Sequence, residues 1–345
     1  MKKFLALLLA LLVIVPSLAA AEEVVNVFNW EDYIDEAVIK QFEEETGIKV
    51  NYICFTTNED LILQMEANPG SFDLCFPSEY IVERLMQNDM LAEINYDNVP
   101  NMTYILDSLK NPTYDANNAH SVPYMWGTTG LVYNKTMVEE EPDSWTVLWD
   151  ERYKGNVIML DSIRNTMGLT LRMLGSNMST TDITALEAAK EKLIEQKQSG
   201  MVKAYQVDQT KDMMIQGEAA LAVMWSGDAQ YAISMNPDLA YVIPKEGSNV
   251  WVDCMVIPKT AANKENAEKF INFLCRPDIA KQNCEYIMYS SPNAAAIELM
   301  GEEYANNNVM NPSDDAVARC ETIHDLDSAY LAIYNALWND VKNAK

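Results

Sequence analysis

Histidine is almost absent from this chain, which has only His120 and His324 among its 345 residues. Neither belongs to a nucleophile motif with a nearby serine or cysteine, and the chain has no zinc-protease helix motif and no glycine-rich phosphate loop. Paired carboxylates could perform acid–base hydrolysis, but acidic residues are so frequent here that such pairs arise by chance. We therefore expect a protein that is not an enzyme, with no catalytic residues, no metal ion and no cofactor.

Basic residues are also scarce, with 25 Lys and Arg against 51 Asp and Glu. This balance disfavours nucleic acid as a partner, because phosphate binding needs a basic surface. An acidic surface instead raises the local concentration of cations and can steer them into a cleft. A strongly acidic surface can also serve only to keep a protein soluble. The composition therefore permits a cationic ligand without requiring one.

Long apolar runs are missing beyond the amino terminus. Residues 4–15 are apolar, Lys2 and Lys3 precede them, and the three alanines at 19–21 offer a small-residue cleavage site. This run is short for a membrane span and is typical of an export signal, with a retained anchor as the alternative. No cysteine follows it to carry a lipid. We predict that residues 1–21 are removed, which leaves 23 basic and 51 acidic residues, a formal charge of −28, on a periplasmic or extracellular protein.

The cysteine content allows disulfides without pointing to any pair. An even number of cysteines in an exported chain is compatible with bridges. Cys54, Cys75 and Cys254, however, stand in apolar strand-like runs, where cysteine often serves as a small hydrophobic residue. No two have the spacing of metal ligands, and we expect mostly structural thiols. The six are Cys54, Cys75, Cys254, Cys275, Cys284 and Cys320.

Strand-like and helix-like patterns alternate along the chain, which predicts an α/β fold with parallel sheets covered on both faces. The mature length of roughly 320 residues exceeds the size at which a single core stops growing, so we expect two domains. Residues 123–130 and 251–258 look like strands that cross between them, which would let the domains hinge around a ligand. We predict a first domain of residues 22–128 plus 252–296 and a second of residues 129–251 plus 297–345.

Aromatic and acidic side chains recur at the ends of the predicted strands. The run at 24–28 leads into Trp30 and Glu31, the run at 157–160 into Asp161, and the run at 220–224 into Trp225. Trp251 and Asp253 stand just before or at the start of the apolar run at 254–257. Ligands of open α/β sheets bind beyond the carboxyl ends of the strands. Because aromatic rings attract cations and carboxylates pair with ammonium groups, this pattern predicts a ligand that is cationic and partly aliphatic.

Five motifs together resemble the spermidine/putrescine-binding proteins of polyamine ABC importers. They are FNWEDY at 28–33, FPSEY at 76–80, PYMWG at 123–127, MWSG at 224–227 and WVD at 251–253, in the family's order and spacing. The resemblance implies a two-domain α/β periplasmic-binding-protein fold of type II. Each domain would be a mostly parallel sheet flanked by helices, and the ligand cleft would lie between the two domains. It also implies a monomeric receptor that delivers spermidine or putrescine to membrane permease subunits, with a slight preference for spermidine.

The resemblance further implies which residues line the cleft, with Asp253 as the main anchor for an ammonium group. The implied ligand-binding residues are Trp30, Glu31, Tyr33, Ser78, Tyr80, Asp161, Trp225, Trp251, Asp253 and Tyr289. Two departures from the family stand out. Glu31 replaces the Thr of some members, and residues 160–165 match a stretch that often holds two acidic ligands, whereas here only Asp161 is acidic.

Seven of these residues also have a structural interpretation. Trp30 and Trp225 could be core aromatics, and Tyr80 could pack beside a helix that Ser78 caps. Asp253 could be paired with an Arg or Lys of the protein. Glu31 and Asp161 could stabilise helix amino termini.

Three alternative functions stay open at this point. The first is a receptor for another cationic or small organic solute. The second is a sensory subunit that presents its ligand to a membrane kinase. The third belongs to another class and is a secreted carboxylate-dependent hydrolase.

Overall fold

The computed structural model describes residues 23–31 and 33–345, so the predicted export signal lies outside the described residues. In this part of the chain there are nine strands and thirteen α-helices. The strands are β1 (Val24–Trp30), β2 (Lys49–Phe55), β3 (Leu74–Cys75), β4 (Ser121–Asn134), β5 (Val157–Leu160), β6 (Val202–Gln206), β7 (Leu221–Trp225), β8 (Leu239–Val242) and β9 (Val250–Val256).

The helices alternate with the strands through most of the chain, and short 3-10 turns join several of them. They are α1 (Glu36–Thr46), α2 (Asn58–Ala67), α3 (Glu79–Gln87), α4 (Ile163–Met173), α5 (Ile183–Gln198), α6 (Gln209–Ile215), α7 (Ser226–Met235), α8 (Lys264–Leu274), α9 (Pro277–Ile287), α10 (Ala294–Met300), α11 (Glu302–Ala305), α12 (Asp314–Val317) and α13 (Ser328–Asn343). Among the described residues, no helix is both long and apolar enough to cross a bilayer.

The first βα unit follows directly from its sequence. Helix α1 begins where Asp35 accepts a hydrogen bond from the main-chain N–H of Ala37, and it ends at Gly47, whose φ of 74° suits glycine. Val38 and Phe42 lie one turn apart on its buried face. The helix thereby returns the chain so that β2 can pair in parallel with β1.

Strand β4 is the long crossing strand, and all fourteen of its residues are buried. Its first half pairs antiparallel with β9, from Ser121 opposite Val256 to Thr128 opposite Val250. Its second half pairs with β7 and β8 instead. The strands follow the order β2-β1-β3-β9-β4-β7-β5-β6, with β8 attached to β4. Strands β4 and β9 are therefore the two predicted crossing segments.

The apolar core is divided on either side of this crossing. The sheet of β1, β2, β3 and β9 packs on clusters that include Phe42, Phe76 and Phe270. The sheet of β5, β6, β7 and β8 packs on separate clusters that include Trp145 and Tyr334. We call these two bodies the first and second domains. The predicted domain boundaries, residues 22–128 plus 252–296 and residues 129–251 plus 297–345, stay a prediction.

Five cysteines, Cys75, Cys254, Cys275, Cys284 and Cys320, are free thiols, and the first four of them are buried. Cys75 and Cys254 belong to the apolar clusters of the first domain, as expected for small hydrophobic residues.

Candidate functional site

Asp253 lies in β9, one of the two crossing strands, and only 8% of the residue is exposed. The Tyr33 hydroxyl donates to one carboxylate oxygen at 2.7 Å, and the Ser78 hydroxyl donates to the other at 2.6 Å. Burial raises the pKa of Asp253 to about 6, and the two hydroxyl donors partly offset that rise. Among the described residues, no Lys, Arg or His forms an ion pair with Asp253. The alternative of a structural Arg or Lys partner is therefore wrong.

Both hydroxyl donors are fixed by the ends of strands. Ser78 directly precedes α3 at the carboxyl end of β3, and its backbone forms an antiparallel bridge with Asp253. It occupies the N-cap position, but its hydroxyl makes no capping bond and instead donates to Asp253 and accepts from the Asn58 amide. Tyr33 follows β1, and its carbonyl accepts a 2.7 Å hydrogen bond from Tyr124 on β4.

Glu79 is a second buried carboxylate beside Asp253, and the sequence did not single it out. It is 2% exposed and accepts the N–H of Val252 at 3.1 Å. Burial, with repulsion from Asp253 as a lesser cause, raises the pKa of Glu79 to about 8. The residue is the first of α3, where an acidic side chain normally indicates only helix stabilisation, so no sequence signal distinguished it.

Asn58 was also missed by sequence reasoning. Its side-chain amide donates to the Ser78 hydroxyl and to the Tyr80 hydroxyl, both at 3.0 Å. It thereby joins Tyr80 to the network that surrounds Asp253. An asparagine at the start of a helix reads as a capping residue, whereas Thr57 caps α2 in the structure.

Aromatic rings surround the carboxylate on the β9 side. The Trp251 and Tyr289 rings meet edge to face with centroids 5.1 Å apart, and the centroids of Tyr33 and Tyr289 lie 6.1 Å apart. A Cβ atom on Gly127 would come within 2.5 Å of the Trp251 ring, and one on Gly227 within 2.3 Å of the Tyr289 ring. Glycines of the crossing strand and of α7 thus let the two rings pack this closely.

Trp30 and Trp225 lie half-buried at the ends of their strands. The Trp30 indole N–H donates to the carbonyl of Phe76 at 2.8 Å, and its ring packs on Phe55. Trp225 packs against the core of the second domain and stands opposite Thr129 on β4. Both side chains therefore combine core packing with a strand-end position.

Tyr80, like Tyr289 beside Gly227, is a predicted site residue at which the two domains touch. The guanidinium carbon of Arg164, from α4 of the second domain, lies 6.0 Å from the centroid of the Tyr80 ring. Nearby, Arg84 of α3 donates from Nε to Asp325 at 3.0 Å, and the N–H of Asp325 donates to Glu83 at 2.8 Å. Helix α3 thus carries both the Asp253 network and the main polar contacts to the second domain.

The structure does not bring Asp161 and Glu31 into this network. Asp161 ends β5, is exposed, and pairs with Lys342 of α13 at 2.7 Å. Ser162, not Asp161, occupies the N-cap position of α4. Glu31 lies exposed in the turn after β1, and α1 begins only at Glu36. Helix capping therefore explains neither carboxylate, and their role in binding stays a prediction.

The described residues contain no group of three or more His, Cys, Asp or Glu side chains able to hold a metal ion. The site is instead a buried carboxylate pair with hydroxyl donors and aromatic walls. Such a site can take a cationic group by charge pairing and its aliphatic part by contact with the rings.

Comparison of the whole chain with known proteins shows which family it resembles in sequence and fold. A family model described as "Bacterial extracellular solute-binding protein" matches residues 37–312. The spermidine/putrescine-binding periplasmic protein of Salmonella typhimurium is 34% identical over 326 residues, 94% of this chain and 93% of the relative. The protein of the same name from Escherichia coli is 35% identical over 317 residues, 91% and 90% of the two chains.

Solved structures agree with the sequence relatives. The spermidine/putrescine ABC transporter substrate-binding protein PotD from Streptococcus pneumoniae superposes with a TM-score of 0.85 at 36% identity, covering 93% of this chain and 98% of that one. A putative spermidine/putrescine ABC transporter protein from Listeria monocytogenes also gives 0.85, at 38% identity, with 94% and 100% covered. The predicted fold class and the resemblance read from the five motifs are confirmed.

Proposed function

Because this chain belongs to the bacterial extracellular solute-binding protein family, we propose that it binds a polyamine, spermidine or putrescine, between its two domains. It then delivers the polyamine to the membrane permease subunits of an ABC importer. The relatives at 34–35% identity are named for binding spermidine and putrescine, which supports this ligand class.

The observation that carries the proposal is the environment of Asp253. A buried carboxylate without a cationic partner is costly, and breaking a buried pair typically costs roughly 3–5 kcal/mol. Among the described residues, only the hydroxyls of Tyr33 and Ser78 donate hydrogen bonds to the carboxylate, and Glu79 adds a second acidic group beside it. A ligand ammonium group supplies the missing positive charge, while its methylene chain lies against Trp251 and Tyr289.

The ten residues implied by the family resemblance remain the proposed ligand set, with Asp253 as the anchor. Tyr33 and Ser78 hold its oxygens, and the rings of Trp30, Tyr80, Trp225, Trp251 and Tyr289 enclose the ligand. Each ring–cation contact contributes on the order of 0.5–2 kcal/mol. Glu31 and Asp161 would reach the ligand only after a side-chain movement, which for Asp161 includes leaving Lys342.

The remaining parts of the proposal concern the whole protein. Residues 1–21 direct export and are removed, so the receptor works in the periplasm or outside the cell. It acts as a monomer, has no catalytic activity, and does not bind nucleic acid. Residues 22–128 plus 252–296 close on residues 129–251 plus 297–345 when the polyamine is bound, and the permease recognises that closed form.

A thermal unfolding experiment on the mature protein tests the ligand class and separates a receptor from a hydrolase. We expect spermidine, putrescine or both to raise the melting temperature in proportion to the logarithm of concentration, with the amine recovered unchanged. Amino acids and sugars, added as controls, should give no shift. A shift with one of those solutes alone would support the broader solute-receptor alternative, and conversion of the added compound would support the hydrolase.

A further inference from the structure

Residues 321–325 lie between the two domains, and we call them the bridging segment. The main-chain N–H of Glu321 donates to the carbonyl of Ser248 at 2.8 Å. The N–H of His324 donates to the Ser179 hydroxyl at 2.9 Å. Both acceptors lie on the second-domain side of the crossing strands, so these two bonds hold the bridging segment to the second domain.

Two other N–H groups of the bridging segment face helix α3 of the first domain. The N–H of Asp325 donates to the Glu83 carboxylate at 2.8 Å, and the Asp325 carboxylate accepts from Nε of Arg84 at 3.0 Å. Burial raises the pKa of Glu79, and the N–H of Ile323 partly offsets that rise as a hydrogen-bond donor. Glu79 and Glu83, one turn apart on α3, thus face the N–H groups of residues 323 and 325.

Glu79 is the residue of α3 that lies beside the proposed ligand anchor. It accepts the N–H of Val252 at 3.1 Å, and Asp253, the next residue of β9, acts on it by charge repulsion. The residue is 2% exposed, so water screens its charge little. Its charge also acts on Tyr80, Tyr114, Arg164 and Cys254. Glu79 therefore interacts with both the anchor strand and the bridging segment.

We propose that Glu79 couples the charge of a bound ligand to the bridging segment, so that a polyamine beside Asp253 strengthens the hold of α3 on residues 323–325 and keeps the domains closed. This inference rests on the proposed polyamine-binding function. An ammonium group beside two carboxyl groups favours their ionised forms. An ionised Glu79 accepts hydrogen bonds more strongly than a neutral one, so it holds the N–H of Ile323 more tightly.

The geometry also says which bonds break when the domains separate. The bridging segment stays with the second domain, because the N–H groups of residues 321 and 324 keep their acceptors there. The N–H groups of residues 323 and 325 lose the carboxylates of α3. Closure is therefore reported by two of these four N–H groups, and the other two serve as internal controls.

Hydrogen exchange resolved at single amides, with the mature protein at about pH 7 and saturating putrescine or spermidine, tests the proposal. We expect the ligand to slow exchange of the N–H groups of residues 323 and 325 by at least about tenfold, and of residues 321 and 324 by less than about twofold. Glu79→Gln fixes this side chain in a neutral form and should reduce the slowing at residue 323 to less than about threefold. Glu36→Gln is the matched control, since Glu36 is the exposed first residue of α1, and it should exchange like the wild type.

A double-mutant cycle on the rate of ligand release separates coupling from a direct effect of Glu79 on the ligand. Glu79→Gln should speed release at least about threefold and Asp325→Asn about fivefold, while the double variant should be no faster than about fivefold, because both act through one contact. Multiplied effects in the double variant, or equal slowing of exchange at all four N–H groups in the wild type, would overturn the inference while leaving polyamine binding intact. Failure of both amines to bind the wild type would instead overturn the proposed function, and the inference with it.

Discussion

Asp253 is the single residue on which ligand affinity should depend most strongly, because its carboxylate is buried and, in the part of the chain that the structure describes, only hydroxyl groups donate to it. Removing it takes away the charge that pairs with the ligand, whereas removing one ring takes away a contact of on the order of 0.5–2 kcal/mol. The two kinds of substitution should therefore differ clearly in calorimetric titrations.

We predict that Asp253→Ala weakens polyamine binding by about 3–5 kcal/mol, which is more than a hundredfold. Trp251→Ala or Tyr289→Ala should each cost less. Asp97→Ala, at an exposed position in the first domain, serves as the control and should leave affinity unchanged. Equal losses in the Asp253 and Asp97 variants would refute the anchor role.

Ligand binding should also release protons near neutral pH. In the free protein, burial raises the pKa of Glu79 to about 8 and that of Asp253 to about 6. An ammonium group beside these carboxylates favours their ionised forms and lowers both pKa values. Affinity should therefore rise as the pH increases from about 6 to about 8, because fewer protons must leave on binding.

Calorimetry at about pH 7 in two buffers with different ionisation enthalpies measures this release directly. The observed heats should differ between the buffers for the wild type. Glu79→Gln should remove most of the difference, because Glu79 is the group still largely protonated at that pH. Buffer-independent heats in the wild type would show that the carboxylates do not change protonation on binding.

At the residue level, the sequence anticipated which side chains lie near one another where a side chain stands at a strand end and belongs to a motif, while their role in binding stays a prediction. Tyr33, Ser78 and Asp253 were expected in one site, and the structure brings these three together. Glu79 and Asn58 were missed because each lies at a helix start, where acidic and amide side chains usually serve the helix itself. The ion pair of Asp161 was not predictable because Lys342 is distant in sequence.

At the level of secondary structure, the crossing strand β4 gives the site its shape. A Cβ atom on Gly127 would approach both the Ser226 hydroxyl and the Trp251 ring to within 2.5 Å. The position therefore requires glycine for close packing, not for an unusual backbone angle. The need for glycine at position 127 cannot be read from the sequence, because it depends on which side chain the fold places against this position.

We predict that Gly127→Ala lowers stability by about 1–3 kcal/mol through overpacking and also weakens ligand binding, because Trp251 must move. Gly130→Ala on the same strand is the matched control, since its Cβ atom would collide with Tyr241. It should destabilise the protein in thermal unfolding with a smaller effect on affinity. Identical losses of affinity in the two variants would contradict a specific role for the position of Trp251.

At the level of the whole molecule, function depends on how the two domains meet. Alternating strands and helices, together with two crossing segments, allowed the two-domain fold to be predicted. The contacts across the cleft were not predictable, because Arg84 of α3 and Asp325 come from distant parts of the chain. This ion pair is only partly exposed, so removing one partner leaves the other charge poorly solvated and unpaired.

We predict that Arg84→Gln weakens closure of the domains and speeds ligand release at least about fivefold, since charged hydrogen bonds contribute roughly 1.5–3 kcal/mol. Stopped-flow measurement of dissociation tests the rate. Small-angle scattering should show a smaller decrease in radius of gyration on ligand addition than in the wild type. Lys110→Gln, which breaks an ion pair within the first domain, is the control and should change neither quantity.

Titration calorimetry of the wild-type mature protein against spermidine, putrescine, spermine and cadaverine, at low and at moderate salt, tests the central claim most directly. We predict binding of one polyamine per protein molecule at micromolar affinity or tighter, because the charge pairing at Asp253 is buried and salt screens it little. Weak multi-site heats that vanish at moderate salt would mean that polycations only coat an acidic surface, and they would contradict a specific site between the domains.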